Sequence, residues 1–438
     1  MKLGGRFSAA IEVLDAIFSN HNSAAAALHD WGRSHRFAGS GDRSAIGNLV
    51  YDALRQKNSI AFKMGDDTPR ALVLGVARFV WKLEIAEIQE ATDDKFGPDA
   101  LTDAEKEIFA AAHDGKQPRW VAGDYPQWLD ASFQWAFPDD AVEQGAALSR
   151  RAPVDLRVNT LKATREQVLE ALEKHGAQEG PYIPNSVRIN APENAGRTPN
   201  VEVETAHGKG WYEVQDTASQ IAAGLAAPTP KDMVMDLCAG AGGKTLALAA
   251  AMNNEGKIYA HDRDKRRLRP IFERIARAGA SSVEVIGAEE KGRLFELKDQ
   301  MDLVLLDAPC TGVGAWRRKP DSKWRLSPAT LEQRIKDQKA VLESGANLTK
   351  PGGRLVYITC SLLPEENNDQ VAFFLKHHKN FKVVPYTTMW KTAFNTQPPK
   401  SADGNEETLT MSPYSHDTDG FFIAIMEKSY AKAVSVED

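Results

Sequence analysis

The sequence predicts an α/β protein whose C-terminal half is a parallel β-sheet covered by helices on both faces. One observation is rhythm: from about residue 211, short apolar runs alternate with helical stretches, in "MVMDLCAGAGGKTLALAAAM", "KIYAHD", "SVEVIG", "MDLVLLDAPC" and "GRLVYITC". Runs of that length between helices read as strands buried on both sides. The other is placement. All three cysteines, Cys238, Cys310 and Cys360, stand where these runs stop, together with Asp236, Asp262 and Asp307. That is the carboxyl edge at which sheets of this kind bind ligands.

The chain before residue 211 reads differently. Residues 1–135 are expected to be all-helical: Ala10, Val13, Leu14 and Phe18 fall at helical spacing, and "DRSAIGNLVYDALRQK" repeats the pattern with Asp42 as its candidate cap. "DTPRALVLGVARFVWKL" continues it. Residues 136–210 suggest a small α+β unit, with a strand at "VDLRV" and a helix from about Thr164 to His175. The Pro- and Asn-rich "PYIPNSVRINAPENAGRTPN" follows, giving short strands and loops. The strand–helix rhythm then occupies residues 211–432, including a helix around Leu331 to Leu348. No internal repeat interrupts the chain.

Composition excludes several classes. With 438 residues, 42% hydrophobic and 26% charged, this is an ordinary globular chain of roughly three domains at about 150 residues each. Cysteines at an odd count and without paired spacing make neither a disulfide scaffold nor a zinc finger, and fit the reducing cytoplasm. No apolar h-region opens the chain and no run approaches about 18 apolar residues, so neither secretion nor a membrane span is expected. The net charge of −6 does not announce a nucleic-acid binder, but local patches decide such binding. Two exist, His261 to Arg277 and Trp316 to Arg325. A solvated helix face is the ordinary reading of a charge run. The second patch directly follows Cys310 and is bracketed by Trp316 and Trp324, which makes it the candidate RNA contact.

The turn "DLCAGAGGKT" is the first sign of chemistry. Gly240, Gly242 and Gly243 can take positive φ and let backbone approach a ligand, while a helix starting near Lys244 offers free N–H groups. The spacing is neither a Walker A loop nor the dinucleotide G-x-G-x-x-G. Asp262 ends the next strand, about twenty residues on, where a carboxylate can grip ribose hydroxyls. Cys360 sits where "VYIT" stops and the chain turns toward solvent, a place for a reactive thiol rather than a packed one. Spacing alone does not say whether Cys310 or Cys360 would attack.

"DLCAGAGGKT", "LLDAPCTGVGAWRRKPDSKW" and "YITCSLLPEEN" together resemble the motifs of the RNA cytosine-C5 methyltransferases of the Nop/Sun family. The resemblance spans about residues 140–430, and the helical N-terminus resembles a NusB-like RNA-binding domain. It implies a Rossmann-like class I methyltransferase core in 211–432, an RRM-like RNA-binding subdomain in 136–210, and S-adenosylmethionine as cofactor. It also implies a 16S ribosomal RNA substrate and a monomer without a metal. Transfer RNA as the substrate, or a non-catalytic assembly factor, are the alternatives. The resemblance assigns attack on the cytosine to Cys360 and release to Cys310, with Asp307 and Lys244 beside the base. The cofactor falls to Cys238, Ala239, Gly240, Ala241, Gly242, Gly243, Lys244, Asp262, Arg267 and Asp307. Cys238, inside the turn, is read as a packing or backbone contact. Two departures stand out: Ala241 occupies a position where the family has Pro, and after the third strand Ala288 stands where an aspartate near the adenine is usual, with Glu289 next. Glu365 and Glu366 read as caps of the helix after Pro364.

Overall fold

Helices fill the N-terminal region, as its periodicity predicts. Leu3–Asn20, Ala24–Ser34, Ser40–Arg55 and Pro69–Gly75 turn Phe7, Leu14, Ile46, Leu49, Leu54 and Leu72 into one buried core. Ser23 accepts from the Ala26 amide at 3.2 Å, and Thr68, just before Pro69, accepts from Ala71 at 3.3 Å, so these starts follow ordinary capping. Asp42 does not cap. Its helix begins at Ser40 after Gly39, and the Asp42 carboxylate instead accepts from Arg6 at 2.8 Å and from the N-terminal amine at 3.1 Å.

This computed structural model describes residues 1–430 apart from 114, 193–195, 197 and 395. The last two residues of the expected 211–432 region lie outside the described residues, as do 193–195 and 197 in the Pro- and Asn-rich stretch. The chain forms two units. One comprises Met1–Arg151, Ala191–Thr198 and Trp316–Leu326; the other takes Ala152–Asn190, Pro199–Ala315 and the residues from Ser327 on.

Placement of Trp316–Leu326 in the helical unit corrects the reading of the second basic patch. Trp316 is fully buried against Phe133, ring centroids 6.3 Å apart. Lys323 is fully buried as well, donating to the carbonyls of Arg55 (2.9 Å) and Asp124 (2.6 Å) and to Ser149 Oγ (2.9 Å). Arg317 and Asp321 are buried too, leaving Arg318, Lys319 and Arg325 exposed. Most of the patch is interior, because paired tryptophans and a long aliphatic lysine stem supply core as readily as an RNA surface.

In the second unit, β1 (Val154–Val158), β2 (Gln178–Glu179), β3 (Ser186–Ile189) and β4 (Tyr212–Val214) form an antiparallel sheet in the order β2-β3-β1-β4. Its helix, Arg165–Ala171, starts with a capping box between Thr164 and Gln167 and gives way at Leu172 to a short 3-10 turn, Glu173–His175. Arg188 on β3 grips Asp155 on β1 at 2.6 and 3.0 Å, and Asp155 also accepts from the amide and hydroxyl of Thr217, at the start of the helix Thr217–Leu225.

The larger sheet holds β5 (Met233–Asp236), β6 (Lys257–His261), β7 (Val283–Ile286), β8 (Met301–Asp307), β9 (Thr349–Thr359), β10 (Phe381–Val384), β11 (Leu409–Met411) and β12 (Phe421–Lys428). Its order is β10-β12-β9-β8-β5-β6-β7, with β11 paired to β12. Strands β5 to β9 are parallel, as predicted, but β12 pairs antiparallel with β9, β10 and β11, so the sheet is mixed. An all-apolar run such as "FFIAIM" is what a doubly covered strand of either direction needs, and direction is therefore invisible in it. Val234, Leu305, Val356 and Ile423 pack into one core, while Met235, Val304, Tyr357 and Phe422 pack into the other.

Candidate active site

The carboxyl ends of β5, β6, β8 and β9 converge on the site. After β5 the chain passes Cys238 and Ala239 into Gly240 (φ +52°), Ala241 and Gly242 (φ +85°), and the helix Gly243–Ala251 begins. Gly242 must be glycine, since a Cβ there would stand 2.5 Å from Ile271 Cγ1. A Cβ on Gly240 would point between Arg267 Nη2 (3.4 Å) and Asp262 Oδ2 (3.9 Å), so the missing side chain leaves a cradle beside that carboxylate. Asp262 is buried just past β6. Its Oδ2 accepts from the Gly240 amide at 3.0 Å and faces Arg267 Nη1 at 3.5 Å, and its Oδ1 accepts from the Asp264 amide at 2.8 Å. Ala241 lacks the rigidity of proline, but its carbonyl is held by Arg274 Nη1 at 2.8 Å.

Under this turn Asp236 is fully buried, accepts from Thr245 Oγ1 at 2.7 Å, and is pushed by burial up to about 7. Cys238 is buried and its thiol is raised, first by desolvation and then by the surrounding carboxylates. A protonated, inaccessible sulfur is inert. After β7, Ala288 is half-buried and Glu289 exposed, while Glu290 accepts from the Gly287 amide at 2.8 Å. Positive-φ glycines, helix-start amides and a carboxylate at the β6 end are a donor and acceptor set that fits a nucleoside cofactor with an amino-acid tail.

Asp307 ends β8 and Thr359 ends β9, so the loops that follow bring Cys310 and Cys360 together, with Sγ to Sγ 3.3 Å. Lys244 Nζ, buried and 5.2 Å from the centre of the Phe421 ring, bonds Asp307 Oδ2 at 2.8 Å. The Gly314 amide donates to the Cys360 carbonyl at 2.9 Å. Gly314 in turn abuts Gly420 so closely that a Cβ would meet its carbonyl oxygen at 2.0 Å. The Cys310 thiol is raised well above its ordinary value, first by its hydrogen bond with Cys360 and then by burial.

Glu366 does not cap a helix. It lies fully buried in the short 3-10 turn Pro364–Glu366, and its carboxylate accepts from the Thr311 amide (2.8 Å), the Thr311 hydroxyl (2.5 Å) and Gln338 Nε2 (3.0 Å). Reading the sequence missed Glu366, Thr311 and Gln338 as parts of the site, because Gln338 lies on a distant helix and two adjacent glutamates after a proline look like helix-start acids. Thus Cys360, Cys310, Asp307, Lys244 and the glycine turn with Asp262 and Arg267 stand along one edge of the sheet. Among the described residues no group of three or more His, Cys, Asp or Glu could hold a metal ion, and no helix is long and apolar enough to cross a membrane.

Residues 223–427 match the 16S rRNA methyltransferase RsmB/F family, and residues 125–195 match the ferredoxin-like domain of RsmF/B-like methyltransferases. A probable ribosomal RNA small subunit methyltransferase B from Synechocystis is 34% identical over 315 residues, 70% of this chain and 67% of that one. The chain belongs to the RsmB/F methyltransferase family. Another member of this family, the ribosomal RNA small subunit methyltransferase B of Cronobacter sakazakii, is 31% identical over 74% of this chain and 70% of its own. The solved structure of PH0851 superposes with a TM-score of 0.73 at 28% identity, covering 98% of this chain and 99% of that one. An RsmB/F member is a methyltransferase, and the Rossmann-like sheet with its helical N-terminal region is the architecture of this chain.

Proposed function

We propose that the protein transfers a methyl group from S-adenosylmethionine to carbon 5 of a cytosine in 16S ribosomal RNA through a covalent adduct with Cys360. The observation that carries this reading is the pair of sulfurs 3.3 Å apart beside the Lys244–Asp307 pair. The relatives named for the small ribosomal subunit support the ribosomal target. Asp262, Arg267 and the residues from Cys238 to Lys244 would hold the cofactor, which supplies an electrophilic methyl group.

Carbon 5 of cytosine is too weak a nucleophile to take that methyl unaided. The Cys360 thiolate adds to carbon 6, and the electrons of the 5,6 double bond move to make carbon 5 an enamine nucleophile. Asp307, held by Lys244 at 2.8 Å, would accept from the exocyclic amine or the protonated N3, stabilising charge as it develops. After carbon 5 is methylated, it loses its proton to solvent, the double bond re-forms and the Cys360 sulfur departs. Cys310, kept as a thiol, donates a hydrogen bond to the departing thiolate. We assign residues 1–135 and 136–210 to RNA binding, and read the protein as a cytoplasmic monomer.

The two thiols separate in one experiment. Cys360→Ala should be inactive and form no covalent RNA complex. Cys310→Ala should methylate but stall at release, accumulating a protein–RNA band that survives denaturing electrophoresis. The opposite pattern would exchange the two roles, and full activity in both would remove covalent catalysis. Bisulfite sequencing of ribosomal and transfer RNA from a deletion strain identifies the substrate.

A further inference from the structure

Two loops must hold their cysteines in register for an adduct to be both formed and released, and these loops leave different strands. Glu366 is the group that ties them. From the Cys360 side of the chain it reaches the Thr311 amide and hydroxyl, directly after Cys310. Gln338 braces the same assembly, donating to Glu366 at 3.0 Å and to the Pro309 carbonyl at 3.0 Å, so both residues flanking Cys310 are held. Glu366 is itself fixed: Tyr357 donates its hydroxyl to the Glu366 carbonyl at 2.6 Å. On the other loop, Thr359 donates to Asn367 at 2.6 Å and Asn367 donates back to the Ser361 carbonyl at 3.0 Å, clamping the residues on either side of Cys360.

A carboxylate buried this deeply is strongly disfavoured unless its oxygens are satisfied. A site needing only a loop tether could use a neutral amide or a packed methyl. We propose that Glu366 is a positioning residue for release: through Thr311 and Gln338 it holds the Cys310 sulfur against the Cys360 sulfur at the distance that lets Cys310 assist the departing thiolate. This rests on the covalent reading of the site with Cys310 as the release residue. Its charge works in the same direction, since after the hydrogen bond with Cys360, burial and the Cys360 charge, Glu366 is a further influence keeping Cys310 protonated.

The test compares covalent RNA complexes on denaturing gels, in the presence of S-adenosylmethionine and a 16S ribosomal RNA fragment, with Cys310→Ala as the reference. Glu366→Ala should accumulate adduct as Cys310→Ala does, with release slowed about tenfold or more, and with cofactor affinity unchanged by calorimetry. Thr311→Val removes one hydroxyl while the Thr311 amide and Gln338 still donate to Glu366, so it keeps the question open to measurement if Glu366→Ala does not fold. It should accumulate adduct to a smaller extent, and Thr311→Ser, which restores the hydroxyl, should release as the wild type does. Wild-type release in Thr311→Val, or equal behaviour of the Val and Ser variants, would overturn the assignment of Glu366. So would loss of cofactor affinity in step with any adduct, which marks a general structural role. If Cys310→Ala itself gave no adduct, the assignment of release to Cys310, on which this inference rests, would fall instead.

Discussion

Asp262 serves the turn as well as any ligand, because its Oδ2 already accepts from the Gly240 amide and its Oδ1 from Asp264. Asp262→Ala should therefore weaken S-adenosylmethionine binding by about 1.5 to 3 kcal/mol through the lost charged acceptor, and also lower the melting temperature as the Gly240 amide loses its partner. Asp262→Asn keeps a carbonyl oxygen for that amide and should lose affinity with less loss of stability; calorimetry beside a thermal melt separates the two effects. Unchanged affinity in both would place Asp262 outside the cofactor site. At this scale much was legible. Cys310, Cys360 and Asp262 declare themselves by standing at strand ends, a position the sequence displays. Glu366 does not, since its partners Thr311 and Gln338 are 55 and 28 residues away and nothing local distinguishes its carboxylate from a helix-start acid.

The segment Trp316–Leu326 shows how an element's composition can mislead. The Arg317 side chain is buried, so Arg317→Ala should lower the melting temperature through lost packing and leave the salt slope of RNA binding unchanged. Trp316→Ala should cost about 3 to 5 kcal/mol, the range for removing a fully buried aromatic ring. Lys323 adds a pH signature. Burial lowers its pKa from 10.5 to about 7, so between those values the unfolded chain holds a proton that the folded one lacks. Stability then rises with pH across this window, by up to about 1.4 kcal/mol per unit. Denaturant melts at pH 7, 8 and 9 should show that rise in the wild type and its loss in Lys323→Met; parallel curves would mean that Lys323 titrates alike in both states. Elements with local signals were read with fewer errors: the helix beginning next to Thr164, the helical N-terminal stretch and the parallel strands β5 to β9 all appear where short-range pattern places them.

At the scale of the whole molecule, the helical unit is not a continuous stretch of chain. It needs Trp316–Leu326, which supplies Trp316 beside Phe133 and Lys323 to the carbonyls of Arg55 and Asp124. A fragment of residues 1–151 should accordingly melt at lower temperature and less cooperatively than the same unit in the full chain, and a peptide of residues 316–326 added to it should recover part of the loss. A fragment as stable as the full chain's helical unit would show that the returning segment adds nothing to its core. The sequence by itself determined the parallel strand–helix rhythm, the glycine turn, and which thiols and carboxylates lie at strand ends, because apolar period, positive-φ glycines and strand termini are local properties of the chain. Only the tertiary structure decided that β12 runs against its neighbours β9, β10 and β11, that a basic stretch is core, and that Glu366 joins the two cysteine loops. Strand direction, burial of a charged segment and pairing across tens of residues depend on which distant groups meet, and local pattern carries no record of that.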